Sequence, residues 1–206
     1  FDLTYTRFND LQKAEAQARE AQIEAALERV RSKAVSMQKS EDLSYAVAIV
    51  FEELDKLKLG MLRCGIGIIY KETRSADLWT TTKSDNNTVV QVSGDESMDI
   101  HPLLSGIFDA WVRQDEDFEY ILQGKDLNDY YKALTGVNFK LPDSQSLTSG
   151  AEEVQQFHYN VLFPAGGLFA FRETPFPYEA KTVMRRFADV FNLTYTRFND
   201  LKQAEA

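Results

Sequence analysis

Two histidines, one cysteine and one run of acids are the residues whose types could do chemistry, and each has a plainer role to be weighed against. His158 stands between Phe157 and Tyr159 in a β-prone stretch, so on a strand it faces away from both. A lone histidine in a tailored pocket could ligate a haem iron; a hydrogen-bonded or exposed histidine is the plainer reading. Cys64 lies among aliphatic residues and reads as a buried, inert thiol. One cysteine excludes an internal disulfide, and with only His101 and His158 no Cys/His zinc spacing exists. From Asp115 to Asp126 the acids fall at the first, third, fifth and twelfth positions of a calcium loop. The sixth position is Tyr120, where that loop needs glycine for its turn, so a solvated acidic helix start is expected instead. Gly65-Ile66-Gly67 lacks the third glycine of a dinucleotide fingerprint and precedes no helix. No G-x-S-x-G, H-E-x-x-H or P-loop is present, and scattered carboxylates do not make an acid/base pair. The sequence reads as non-enzymatic, with no metal and no cofactor.

The elements that position these residues follow from periodicity. Asn9 to Gln38 contains no Gly or Pro and is rich in Ala, Glu, Gln and Arg, which predicts one long helix. Its apolar positions form two seams, Leu11, Ala14, Ala18, Ala21 and Ala25, then Ile23, Leu27, Val30, Ala34 and Met37 on a shifted stripe. That is coiled-coil spacing with a register change. A helix packed on its own domain would show similar spacing; a parallel homodimer is the favoured reading. Ser40, followed by Glu41 and Asp42, caps a second helix whose apolar face carries Leu43, Val47, Val50, Leu54 and Leu57, ending at Gly60.

Leu62 to Tyr70 alternates bulky residues with Arg63, Gly65 and Gly67, so one face of this strand is bulky and the other bare. Leu78 to Thr82 and Thr88 to Ser93 give two more short strands, joined through Asp85-Asn86-Asn87. Residues 102–135 read as helical, with Leu103, Leu104, Ile107, Phe108 and Trp111, then Tyr120, Ile121, Tyr130, Tyr131 and Leu134. After a polar loop from Pro142 to Gly150, Val154 to Phe163 and Leu168 to Phe171 flank Pro164-Ala165-Gly166-Gly167 as a hairpin. From Tyr178 a last helix carries Val183, Phe187, Phe191, Phe198 and Leu201.

That last helix ends in a duplication. Residues 191–206, FNLTYTRFNDLKQAEA, match residues 1–16, FDLTYTRFNDLQKAEA, at thirteen of sixteen positions and an offset of 190. So long a period implies that each repeat is a whole domain, not a solenoid unit: either two such units follow each other in the parent, or the chain starts and finishes in equivalent linkers, the plainer alternative being a segment added for expression. Three segments result: 1–39 a linker helix, 40–177 a globular unit, and 178–206 a second linker helix. A net charge of -9 and a pI near 4.8 argue against nucleic-acid or anionic-membrane surfaces. No apolar run reaches membrane-spanning length, and a soluble, cytoplasmic piece is expected.

The order of helix, helix, three strands, helical insertion, two strands and helix resembles the GAF domain, a relative of PAS. EAQIEAALERVRSKAVSMQKSEDL at 20–43 and RRFADVFNLTYTRFNDLKQAEA at 185–206 resemble the helical linkers around GAF-like sensors in bacterial multidomain signalling proteins, often upstream of histidine kinases in two-component systems. The resemblance implies an α+β fold, with an antiparallel sheet of five to six strands, helices packed on it, and long coiled-coil-type helices at both ends. It also implies a homodimer through Leu11, Ile23, Leu27, Val30, Phe187, Phe191, Phe198 and Leu201, coupled to an output domain elsewhere in the parent. An unidentified small molecule would sit between the sheet and the covering insertion, among Trp79, Trp111, Tyr130, Tyr131, Phe139, His158 and Asn160. Trp111 and Tyr131 lead this set because each adds a polar handle to an apolar helix face. Some GAF domains attach a bilin to cysteine, but the position of Cys64 among core aliphatics does not support that. Pro177 departs from the pattern, standing where relatives tend to have a capping Ser. The alternative is a ligand-free dimerisation spacer in a tandem array.

Overall fold

The chain was analysed as a computed structural model, which describes residues 2–36, 38, 43–84, 87–135 and 154–205. Helix α1 (Asp2–Ser36) and α2 (Leu43–Lys56) precede three strands, β1 (Arg63–Tyr70), β2 (Ser75–Ser84) and β3 (Asn87–Ser97). Then come α3 (Pro102–Val112), β4 (Asp117–Gln123), α4 (Gly124–Thr135), the hairpin β5 (Gln155–Phe163) and β6 (Gly166–Arg172), and α5 (Tyr178–Glu205). The strands form one antiparallel sheet in the order β3-β2-β1-β6-β5-β4. The expected Ser40 cap with Glu41 and Asp42, the Asp85-Asn86 turn and the Pro142–Gly150 loop lie outside the described residues.

The alternation read in β1 divides the interior in two. Cys64, Ile66 and Ile68 face a core shared with α1, α2 and α5, while Ile69 belongs to a second core beneath α3 and α4. The β5–β6 hairpin splits the same way. Tyr159, Val161, Leu168 and Ala170 enter the first core, and Phe169 and Phe171 the second. Period-two alternation along strands covered on both faces is what permits two cores to share one sheet.

The segment read as an acidic helix start is instead strand β4. Tyr120 and Leu122 pack toward the second core, while Asp117 and Glu119 point to α5, where Arg185 and Lys181 meet them. Asp117 also accepts from the Tyr159 hydroxyl at 2.8 Å. Asp117 and Glu119, two apart, share one face of the strand, and the pairing with β5 overrides the helical reading of Tyr120-Ile121.

A second correction concerns the helices. Ile23, Leu27, Val30, Phe187 and Phe191 are buried within the chain's own first core, so they are not a seam between two chains. Phe198 and Leu201 are half-buried against the same core, and only Leu11 of that set stands exposed. Helices α1 and α5 run in the same sense, since Arg19 pairs with Glu179 and Arg186 with Glu20 and Glu24. Helix α2 is clipped to α1 by buried Glu53, which accepts from Arg29 at 2.8 and 2.6 Å and from Lys56 at 2.7 Å. The carbonyl of Pro177 accepts from Lys181 N, so Pro177 opens α5 through its backbone.

Candidate functional site

The second core encloses a cavity of about 30 Å³ between the bare face of β1, the β5–β6 hairpin and helices α3 and α4. Gly67 and Gly167 form its floor, and Leu78, Leu104, Ile107 and Phe169 its apolar walls. A Cβ on Gly167 would overlap the Asn160 carboxamide, so glycine there is what lets Asn160 lie flat across the sheet. His158 and Asn160 sit two apart on β5 and both point inward.

Both are almost fully buried, and neither His158 Nδ1 nor Asn160 Oδ1 has a hydrogen-bond partner among the described residues. Buried polar atoms are normally paired, because leaving one unmade costs about 1–3 kcal/mol. Two such atoms face one cavity. The His158 ring stacks beside Phe169 and meets Phe171 edge-on, with centroids 5.9 and 4.6 Å away. Burial pushes its pKa down to about 3, and the charge of Arg63 adds to the effect. It is a neutral imidazole at neutral pH.

Arg63 is the residue that sequence reasoning missed. It is buried on the bare face of β1, with its guanidinium 4.3 Å above the Phe171 ring and Nη2 donating to the Tyr130 hydroxyl at 3.4 Å. Burial raises the Tyr130 pKa to about 12 despite that cation, so the hydroxyl stays protonated. The available signal was a charged residue in phase with two glycines on an apolar strand.

Of the seven pocket candidates, the structure brings Tyr130, His158 and Asn160 together around the cavity. Tyr131 lies in the same core, but its hydroxyl is committed to Gln156 Oε1 at 2.6 Å. Trp79 is corrected. On β2 it pairs with Ile66 and faces the first core, across the sheet from the cavity. Trp111 is also removed from the cavity. Its Nε1 donates to the Phe163 carbonyl at 3.1 Å, and its ring lines a surface groove with Lys71, Gln114 and Glu116. Phe139 lies outside the described residues. His158 is buried, not exposed, and its Nδ1 has no hydrogen-bond partner among the described residues.

His101 serves the lid of the site. It caps α3, Nδ1 accepting from Leu103 N at 3.1 Å, while Nε2 lies 3.2 Å from the Asp126 carbonyl at the start of α4. One buried ring thus ties the two covering helices together. Cys64 is buried on the opposite face of the sheet. Among the described residues no group of three or more His, Cys, Asp and Glu could hold a metal, and no helix is long and apolar enough to cross a membrane.

No family model matches the sequence, and no curated protein matches it. Solved structures do. The chromophore-binding domain of an unusual bacteriophytochrome, RpBphP3 from R. palustris, superposes with a TM-score of 0.51 at 14% identity, covering 93% of this chain and 63% of that one. The fold is GAF-like. A methyl-accepting chemotaxis protein fragment, residues 122 to 287, is similar at a TM-score of 0.48 and 16% identity, covering 84% of this chain and 98% of that one.

Proposed function

We propose that this chain is a non-enzymatic sensory module of a bacterial signalling protein, which binds a small molecule in the second core and passes its state to an output domain through α1 and α5. His158 Nδ1 and Asn160 Oδ1, buried on one cavity wall without a hydrogen-bond partner among the described residues, carry this reading. A neutral imidazole and a carboxamide oxygen suit a small, mostly apolar ligand that offers hydrogen-bond donors. The bacteriophytochrome domain, whose fold this chain shares, is a chromophore-binding one, which supports a sensory use of this architecture. The absence of a located acid/base pair supports a non-catalytic role, and the lone cysteine suits a reducing cytoplasm.

At about 30 Å³ the cavity has room for ordered water, far below the roughly 300 Å³ of an organic ligand site. Ligand entry therefore requires α3 and α4 to lift from the sheet as a unit, joined through His101. Since Ile23 to Val30 of α1 and Val183 to Phe191 of α5 pack on the other face of that sheet, a shift of the sheet is felt by both helices. A ligand moves this equilibrium only by its differential affinity for the open and closed arrangements.

Native mass spectrometry of freshly purified protein tests the reading. The expected result is an added small-molecule mass that the Asn160→Leu variant loses. An unliganded mass in both, with both variants folded, refutes it and leaves the second reading, a ligand-free dimerisation spacer, which the small cavity volume favours. Helical transmission has its own test. Inserting four residues after Gln22 rotates the exposed part of α1 against its anchored part, and unchanged output from the intact parent would refute it.

A further inference from the structure

The duplicated segment occupies two environments in one molecule. At its second occurrence it is seated: Phe191 and Thr194 are fully buried, Tyr195, Phe198 and Leu201 pack on the first core, and Phe191, Tyr195 and Phe198 form a stacked ladder with centroids 6.4 and 5.5 Å apart. At its first occurrence the same stripe is bare: Tyr5, Phe8 and Leu11 are 67%, 54% and 58% exposed. Three large apolar side chains in line on one helix face are an unpartnered surface.

The two copies differ at Asp2/Asn192, Gln12/Lys202 and Lys13/Gln203. In the second copy these positions are half-buried or exposed. Every hydrophobic residue that packs on the core there, Phe191, Tyr195, Phe198 and Leu201, and the buried Thr194 are identical in the first copy. The first copy has kept each group needed to seat against such a domain, although no such domain covers it here.

We infer that the stripe Tyr5–Phe8–Leu11 is the docking surface for a second copy of this same domain, joined ahead of it in one polypeptide, so that one helix is α5 of the first unit and α1 of the next. Overlaying 191–206 on 1–16 makes that helix about 49 residues, roughly 74 Å long. Both domains then grip it, one through the stripe and one through Ile23, Leu27 and Val30. The inference is independent of whether the second core binds a ligand.

Two experiments test it. Replacing the second copy by the first, as Asn192→Asp, Lys202→Gln and Gln203→Lys in the present chain, should leave Tm within about 2 °C, since fewer than 0.5 kcal/mol attaches to such surface changes. A Tm loss beyond 5 °C would mean that the first copy cannot seat on this domain and overturns the inference. Next, thiol labelling is compared in the present chain and in one extended by a copy of residues 1–190 ahead of Phe1. Labelling of Phe8→Cys should slow at least tenfold on extension while that of Arg7→Cys, whose counterpart Arg197 is exposed, stays unchanged. Equal rates for Phe8→Cys in both chains overturn the inference, as does equal slowing at both positions. Slowing of Phe8→Cys in the present chain as its concentration rises assigns the stripe to a paired α1 from another molecule, and also overturns it.

Discussion

Phe169 lies directly over Gly65, its register partner across β1 and β6, so closely that a Cβ on Gly65 would overlap the ring. The same ring stacks beside His158 and forms a wall of the cavity. Gly65→Ala should therefore force Phe169 toward the cavity and cost about 1–3 kcal/mol by overpacking. Urea denaturation at neutral pH reads the loss, and a change within 0.5 kcal/mol, on the order of the effect of a surface substitution, would show that the ring is free to move.

Leu27 and Leu11 look alike in sequence, both apolar positions of α1 seams, yet one is in the core and the other in solvent. Leu27→Ala should destabilise the chain by about 2–5 kcal/mol, by the same amount at low and high protein concentration. Leu11→Ala should change the stability of the present chain by less than about 0.5 kcal/mol. If the cost of Leu27→Ala grew with protein concentration, the seam would lie between molecules after all.

These two leucines show where the sequence was legible and where it was not. Alternation in Leu62 to Tyr70 correctly marked one bulky face and one bare face, because a strand's period of two is unambiguous when glycines occupy one phase. A 3.5-residue seam on a helix states only that one side is apolar; Leu27 would read identically facing a partner helix or its own sheet. Trp79 was misplaced for a related reason. Its face depends on the β1–β2 register, which no local pattern in 78–82 specifies. Strand β4 was hidden because Phe118, Tyr120 and Leu122 alternate within a stretch flanked by true helices. The polar handle that singles out Trp111 and Tyr131 does not locate the cavity, since both handles are met by protein groups, Phe163 O and Gln156 Oε1.

Glu53 is buried between Arg29 of α1 and Lys56 of its own helix. Burial raises its pKa, but the hydrogen bonds from Arg29 and Lys56 outweigh that and hold it below the usual carboxylate value. A depressed folded-state pKa means stability that is present above the unfolded value of 4.5 and lost as pH falls through the folded one. Glu53→Gln should cost about 1–3 kcal/mol at pH 7, by weakening the charge-assisted bonds from Arg29 and Lys56 at a buried site. The gap between variant and parent should narrow below pH 4. A gap independent of pH would mean that the carboxylate's charge contributes nothing.

His158 provides the reverse sign for a base. Its folded-state pKa lies near 3 against an ordinary value of 6.5, because burial and Arg63 both oppose the imidazolium. Between those values the unfolded chain takes up a proton that the folded chain refuses, so stability falls as pH drops through 6.5, with a slope approaching roughly 1.4 kcal/mol per pH unit. Between about pH 5.5 and 6.5 the depressed carboxylates are almost fully ionised in both states, which separates this contribution from that of Glu53. Replacing His158 by Gln keeps a polar group at the cavity but removes the titration. The pH dependence of urea stability over that window should flatten in His158→Gln by close to one proton's worth of slope. Identical slopes in parent and variant would mean that His158 charges freely in the folded chain, through water entering the cavity, and the closed second core described here would then be open in solution.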